Sequence, residues 1–182
     1  TNNHSADASA DYCNEDYAST GIEVVLETLF DDVRWHLTEK ALRPIACGQP
    51  FVLAATAGSL EYVRSYGFET FNGLIDETYD TVVDPVKRLH CIAAEMKRIS
   101  LLAPEQKCQL WAQLQTIADH NKRRFFSQEF WTQVVWEYKS NLQTGIELME
   151  HHRTGNLFNV CKTLKTLAIG PDQIDQICSK IK

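Results

Sequence analysis

The stretch from Leu37 to Phe71 constrains the fold more than any other part of the chain. It reads LTEKALRPIACGQPFVLAATAGSLEYVRSYGFETF. The pattern predicts four elements in order: a helix from Thr38 to a stop at Gly48, an apolar strand at 51–55, a helix at 60–66 and a β-prone segment at 68–71. Helix and strand alternating over about 35 residues indicate an α/β fold with a small parallel, Rossmann-like sheet and flanking helices.

The segments on either side complete this prediction. Residues 22–30 (IEVVLETLF) are β-branched and apolar, which favours a first strand. Asp84-Pro85 and Pro104 are typical of helix starts, and apolar residues at helical spacing continue through a helical C-terminal half. Pro44 is expected in the first helical turn or at a kink, and Asn121 to Arg124 (NKRR) at a helix break. We therefore expect a flexible arm at 1–20, a Rossmann-like domain at 21–150 and a helical extension at 151–182.

Composition excludes several classes of protein. The chain has 182 residues, 44% of them hydrophobic, which suffices for a domain with a packed core. The net charge of −6 argues against nucleic acid as a partner. No apolar run approaches the roughly 20 residues of a membrane span, and the polar first ten residues do not resemble a signal peptide.

The six cysteines have spacings that argue against a metal site. Cys13, Cys47, Cys91, Cys108, Cys161 and Cys178 include no pair at ligand spacing, and His90 beside Cys91 lacks a partner pair. We expect neither metal nor cofactor. Most of these cysteines are expected to be reduced and buried, which favours a cytoplasmic protein.

The first helix start carries the clearest candidate for ligand binding. Thr38 is a good N-cap, and Glu39 and Lys40 follow in the first turn. Exposed amides and the macrodipole attract anions there, so Lys40 is a candidate phosphate ligand and Glu39 a candidate acceptor for ribose hydroxyls. The alternative is a solvated first turn, in which Glu39 is favoured by the dipole alone.

Other candidates have an equally simple structural interpretation. Arg43 is a second phosphate contact or an ion-pair partner of Glu39. Gly58 and Ser59 follow the second strand and either cradle a phosphate or belong to an ordinary loop. The carboxylates of Asp76, Glu77 and Asp80 form a metal or base site or, more commonly, a set of helix caps in a solvated loop. The basic run at 121–124 binds a phosphate or closes a helix end.

The run LTEKALRPIACGQPFVL resembles the nucleotide-sugar-binding motif of Rossmann-type, two-domain glycosyltransferases, such as α1,3-fucosyltransferases and exostosin-like enzymes. Residues 22–130 also resemble a group of uncharacterised phage and marine bacterial proteins. That likeness lies in TEK at 38–40, GSL at 58–60, IDE at 75–77 and DP at 84–85, with Arg88 beyond. The resemblance implies that Lys40 contacts the donor diphosphate and Glu39 the ribose region, while Glu27 occupies an acidic position on the preceding strand.

The resemblance leaves two functions open. Such glycosyltransferases have an upstream acceptor-binding domain that usually supplies the catalytic base, and only about 20 residues precede the first strand here. The first hypothesis is a donor-binding domain, one half of a glycosyltransferase, with a nucleotide-sugar and a separate acceptor domain as partners and no catalytic residue identified. The second is a non-catalytic structural or interaction module, a homo-oligomer for example, built on Trp111, Trp131 and Trp136.

Overall fold

The computed structural model describes residues 14–153, which form a mixed α/β structure that is mostly helical. In chain order the elements are α1 (Asn14–Ser19), β1 (Glu23–Leu26), α2 (Glu39–Cys47), β2 (Phe51–Ala54), α3 (Ser59–Ser65), a 3-10 turn (Glu77–Thr81), α4 (Pro85–Ser100), α5 (Pro104–Phe125) and α6 (Gln128–Arg153). The chain divides into two compact units between Phe130 and Trp131. Within the described part of the second unit, the chain is helical to Arg153.

The sheet of the first unit contains two parallel strands, in which Glu23 pairs with Phe51 and Leu26 with Ala54. Every residue of β2 is buried, whereas β1 buries Val25 and exposes Val24 and Leu26. The unbroken apolar sequence of β2 therefore reflects cover on both faces, and β1 is covered on one.

Helix α2 begins and ends as the sequence predicts. Thr38 is the N-cap, and its hydroxyl accepts a hydrogen bond from the amide of Lys40. Gly48 ends the helix at φ 76°, a left-handed conformation that glycine adopts without steric cost. Pro44, however, lies in the middle of α2 rather than in its first turn. Asp84 likewise caps α4, by accepting from the amide of Lys87.

A third strand was predicted at 68–71, and this prediction is wrong. Phe68 and Phe71 are buried, but the backbone between them pairs with a side chain. The amide of Asn121 donates to the carbonyl of Glu69 and accepts from its N–H, both at 2.8 Å. A helix side chain thus satisfies the groups that a neighbouring strand would have satisfied.

The basic run at 121–124 does not break α5, which continues to Phe125. Its side chains instead close the carboxyl ends of two other helices. Lys122 Nζ lies 3.4 Å from the carbonyl of Cys47 at the end of α2, and Arg124 Nε lies 3.0 Å from that of Tyr66 after α3. Cations at helix C-termini satisfy orphan carbonyls and complement the macrodipole.

Several smaller expectations are corrected. Residues 14–19 form α1 rather than part of a flexible arm, and Tyr17 anchors this helix by donating to Glu23. The three described cysteines are free, as expected, but Cys91 and Cys108 are exposed rather than buried. Residues 151–153, the start of the expected helical extension, are helical. Cys13, Cys161, Cys178 and the rest of that extension, residues 154–182, lie outside the described residues.

Candidate functional site

The carboxyl ends of the two strands bring several predicted site residues together. Glu27 follows β1 directly, and its buried carboxylate accepts from the Thr38 amide at 2.9 Å and from the Thr38 hydroxyl at 2.7 Å. Both carboxylate oxygens are therefore directed at the cap of α2. Glu27 fixes where α2 begins relative to β1, which makes it a positioning residue.

The Thr38 hydroxyl connects Glu27 to the first turn of α2. Because its hydroxyl donates to Glu27, a lone pair remains to accept from the amide of Lys40, at 3.2 Å. The first turn of α2 is thereby held against the carboxyl end of β1. The side chains of Glu39 and Lys40 project from a fixed backbone.

Lys40 stays partly accessible at this edge. Its ammonium lies 3.2 Å from the Glu39 carboxylate and 3.4 Å from the Thr28 hydroxyl, and its side chain is 31% exposed. An ion pair at this exposure contributes about 1 kcal/mol or less, so a phosphate can displace Glu39 at little cost.

An open cleft of about 330 Å³ lies next to Lys40. The loop after β1 supplies its lining, from Thr28, Leu29, Arg34, Trp35 and His36. Thr28 connects Lys40 to the cleft, because it lines the cleft and contacts the Lys40 ammonium. The cleft therefore presents cationic and aromatic groups beside a helix N-terminus.

Arg34 is held at the mouth of this cleft by Asp32. The two side chains form an ion pair with a shortest distance of 2.6 Å, and Asp32 also accepts from the amides of Val33 and Arg34. Hydrogen bonding to Arg34 holds the pKa of Asp32 well below its ordinary range. Sequence reasoning missed Arg34, Trp35 and His36. The signal was a basic and aromatic tripeptide in the loop between β1 and α2.

Gly58 and Ser59, the predicted phosphate cradle, are occupied by the protein itself. The Asp80 carboxylate accepts from the amide of Leu60 at 3.1 Å, and the Asp80 carbonyl accepts from the amide of Gly58 at 2.8 Å. The Ser59 hydroxyl donates to the carbonyl of Thr56. A buried carboxylate thus stands where a ligand anion would bind, and burial raises the pKa of Asp80.

Arg43 points to the opposite end of β1. Its guanidinium pairs at 2.6 Å with Glu23, the first residue of that strand, and Glu23 also accepts from Tyr17. The ion-pair alternative for Arg43 is the one the structure favours, although the partner is Glu23 instead of Glu39. Arg43 therefore joins α1, β1 and α2 away from the cleft.

The carboxylates after residue 75 accept hydrogen bonds from nearby backbone and hydroxyl groups. Asp76 accepts from the amide of Thr78, and Glu77 accepts from the Phe71 amide and the Thr70 hydroxyl. Burial raises the pKa of Glu77. Across residues 14–153, no group of three or more metal-ligating side chains could hold a metal ion.

One buried arginine ties the cleft loop to the turn that carries Asp80. Arg88 on α4 is 2% exposed, and its guanidinium donates to the carbonyls of Phe30, Val82 and Val83. It also lies over the Phe30 ring, 4.4 Å from the centroid. Burial lowers its pKa, and nearby carboxylates, led by Asp80, oppose that shift.

Between residues 14 and 153, no helix has both the length and the apolar character of a membrane span. No protein-family model, no curated protein and no solved structure matches this chain. The resemblance to glycosyltransferases stays a prediction that rests on the run at 37–53.

Proposed function

We propose that this chain is the donor-binding domain of a nucleotide-sugar-dependent glycosyltransferase, built on a Rossmann-like sheet. One observation carries the proposal. Glu27 and Thr38 fix the N-terminus of α2 at the carboxyl end of β1, where Thr28 both lines a cleft and contacts the Lys40 ammonium. Ligands of open parallel sheets bind at this edge.

The roles follow from charge and position. The Lys40 ammonium binds the donor diphosphate, and Glu39 accepts from the ribose hydroxyls. In glycosyl transfer, negative charge develops on the leaving diphosphate. Cations arranged beforehand at that position stabilise the transition state, so Lys40 supplies electrostatic stabilisation without a metal. The acceptor and the general base come from a second domain or polypeptide.

Calorimetry of GDP, UDP and CMP against the wild type, Lys40→Ala and Lys97→Ala tests the proposal. Lys97 is exposed in the last turn of α4, so its replacement removes the same charge elsewhere. We expect Lys40→Ala to weaken binding of the preferred nucleotide at least about tenfold, and Lys97→Ala to leave it within about twofold. Equal losses in both variants, or no saturable binding in the wild type, would exclude Lys40 from a donor site.

A second function, a non-catalytic interaction module, is favoured by α6. Trp136 and Tyr138 on this helix are 69% and 68% exposed, and Val135, Leu142 and Met149 are exposed as well. Exposed aromatic and apolar side chains in such density are typical of protein interfaces. Trp111 does not contribute equally, because its ring occupies the space a side chain at Gly21 would need.

Light scattering distinguishes the two functions. An interaction module built on α6 predicts self-association that rises with concentration and is lost in Trp136→Gln. A monomer at all concentrations, together with Lys40-dependent nucleotide binding, would exclude the interaction module and support the donor-binding function.

A further inference from the structure

We propose that Trp35 is the stacking platform for the nucleobase of the ligand. This inference rests on the proposed function, because it assigns the aromatic part of the same ligand whose diphosphate meets Lys40. The sequence pattern did not indicate it. The support is that three contacts fix the indole ring while about half of the residue stays exposed.

Three contacts fix the ring from the α3 side. The indole N–H donates to the carbonyl of Ala57 at 3.1 Å. A Cβ placed on Gly58 would come within 3.0 to 3.5 Å of three indole atoms, so the glycine backbone lies against the ring. Tyr62, one helical turn further, stacks with Trp35 at a centroid distance of 6.1 Å and an interplanar angle of 25°.

Gly58 is suited to this contact in two ways. Its φ of 84° is left-handed, which favours glycine, and the missing side chain allows the close approach of the indole. The ring orientation is therefore set by the backbone as well as by side-chain packing. A platform held in this way loses little rotamer freedom when a ligand stacks on it.

The rest of the ring is available to a ligand. Trp35 is 49% exposed and lines the cleft between Arg34 and His36. Indole faces bind flat, conjugated rings, and the Lys40 ammonium at Thr28 favours an anionic group on the same ligand. A conjugated base joined to a phosphate chain satisfies both requirements, whereas an uncharged sugar satisfies neither.

The cleft size defines how much of the ligand this domain covers. A volume of about 330 Å³ lies at the low end of the range for small-molecule sites, which is roughly 300 to 1,000 Å³. A cleft of this size accommodates part of a nucleotide-sugar, so the rest of the ligand would extend beyond the lining residues.

The test compares UDP and GDP with inorganic pyrophosphate, using wild type, Trp35→Ala and Trp35→Phe. We expect the wild type to bind its preferred nucleoside diphosphate at least about tenfold more tightly than pyrophosphate, with a change in tryptophan fluorescence. Trp35→Ala should reduce nucleotide affinity to about the pyrophosphate level and leave pyrophosphate affinity within about twofold. Trp35→Phe should retain most of the affinity and lose the fluorescence change.

The outcomes separate this inference from the proposed function. Lys40-dependent binding of pyrophosphate with no gain from the base would overturn the stacking role alone. So would nucleotide affinity unchanged in Trp35→Ala, or a fluorescence change that persists in Trp35→Phe. A wild type that binds none of the probes would overturn both proposals. If Trp35→Ala does not fold, the Trp35→Phe fluorescence comparison decides the question.

Discussion

The starts of α2 and α3 are two versions of the same junction, and they differ in the side chains that occupy them. Both follow a strand of the same parallel sheet at its carboxyl end. At α3 the protein supplies its own anion, since Asp80 accepts from Leu60 and the Trp35 ring lies against Gly58. At α2 the buried carboxylate of Glu27 binds the cap residue Thr38, and the Lys40 ammonium contacts Thr28, which lines the cleft.

This difference shows that a glycine-containing turn after a strand does not identify an anion site. The loop with the small residues, Gly58 and Ser59, is the one already filled. The charged sequence Thr38 to Lys40 begins the helix that adjoins the cleft. A carboxylate from elsewhere in the chain reaches both helix starts, Asp80 at the Leu60 amide and Glu27 at the Thr38 amide. The start of α2 differs in that it also carries the partly exposed ammonium of Lys40.

Removing Arg88 should have the largest effect, because this residue joins the two junctions. Arg88→Ala leaves the carbonyls of Phe30, Val82 and Val83 without their donor and opens a cavity. We expect the free energy of unfolding to fall by about 3 kcal/mol or more. Urea denaturation measures it, with Lys97→Ala as the control. Lys97 is exposed in the last turn of the same helix, and its replacement should cost about 1 kcal/mol or less.

Removing the Asp80 carboxylate from the start of α3 should have the second-largest effect. Asp80→Ala removes the acceptor for the buried Leu60 amide, which we expect to cost about 2 kcal/mol of stability. Asp80→Asn keeps an acceptor oxygen and should cost less. Urea denaturation of both variants, with the exposed cap variant Asp76→Ala as a control, checks this order. An Asp80→Ala variant as stable as Asp76→Ala would contradict the idea that the carboxylate closes the turn.

The start of α2 should depend on its cap. Thr38→Ala removes the hydroxyl, and with it one hydrogen bond to Glu27 and the side-chain cap of α2. We expect a loss of about 1 kcal/mol in stability. Thr38→Ser retains the hydroxyl and should behave as the wild type. Thermal unfolding of the two variants provides the measurement, and equal losses would show that the methyl group matters rather than the cap.

The smallest effect concerns pH. Burial raises the folded-state pKa of Asp80 above its ordinary value of 3.8, so the folded chain binds the proton more tightly than the unfolded chain. Protonation then adds stability as the pH falls through the folded pKa, and this contribution is lost as the pH rises through it. The wild type should gain stability relative to Asp80→Asn as the pH is lowered from 7 towards the ordinary carboxyl range. Denaturation curves across that range measure the difference, and a constant or falling value would contradict it.

Local sequence signals predicted the elements near the site. Thr38, Gly48 and Asp84-Pro85 specify helix ends through their own backbone preferences and caps, and the structure confirms each of them. The apolar run at 51–54 became a strand covered on both faces. These features depend on neighbours a few residues away, which is why the pattern contains them.

Long-range partners escaped prediction because no spacing encodes them. The segment 68–71 has strand propensity, but α5 brought Asn121 to its backbone, 52 residues away. Asp80 reached the start of α3, and Arg43 found Glu23 at the far end of β1. The cleft itself depends on how the loop at 28–36 folds over Gly58, which tertiary packing decides.

Because of the two hydrogen bonds between Asn121 and the Glu69 backbone, the amide proton of Glu69 reports on the packing of α5. The Glu69 N–H is directed at a side chain on α5 rather than at a strand, so solvent reaches it only when α5 separates from this segment. Its hydrogen-exchange rate would therefore measure the free energy of that local opening. Comparing it with an amide in β2 would tell whether the helical layer opens separately from the sheet or only when the whole unit unfolds.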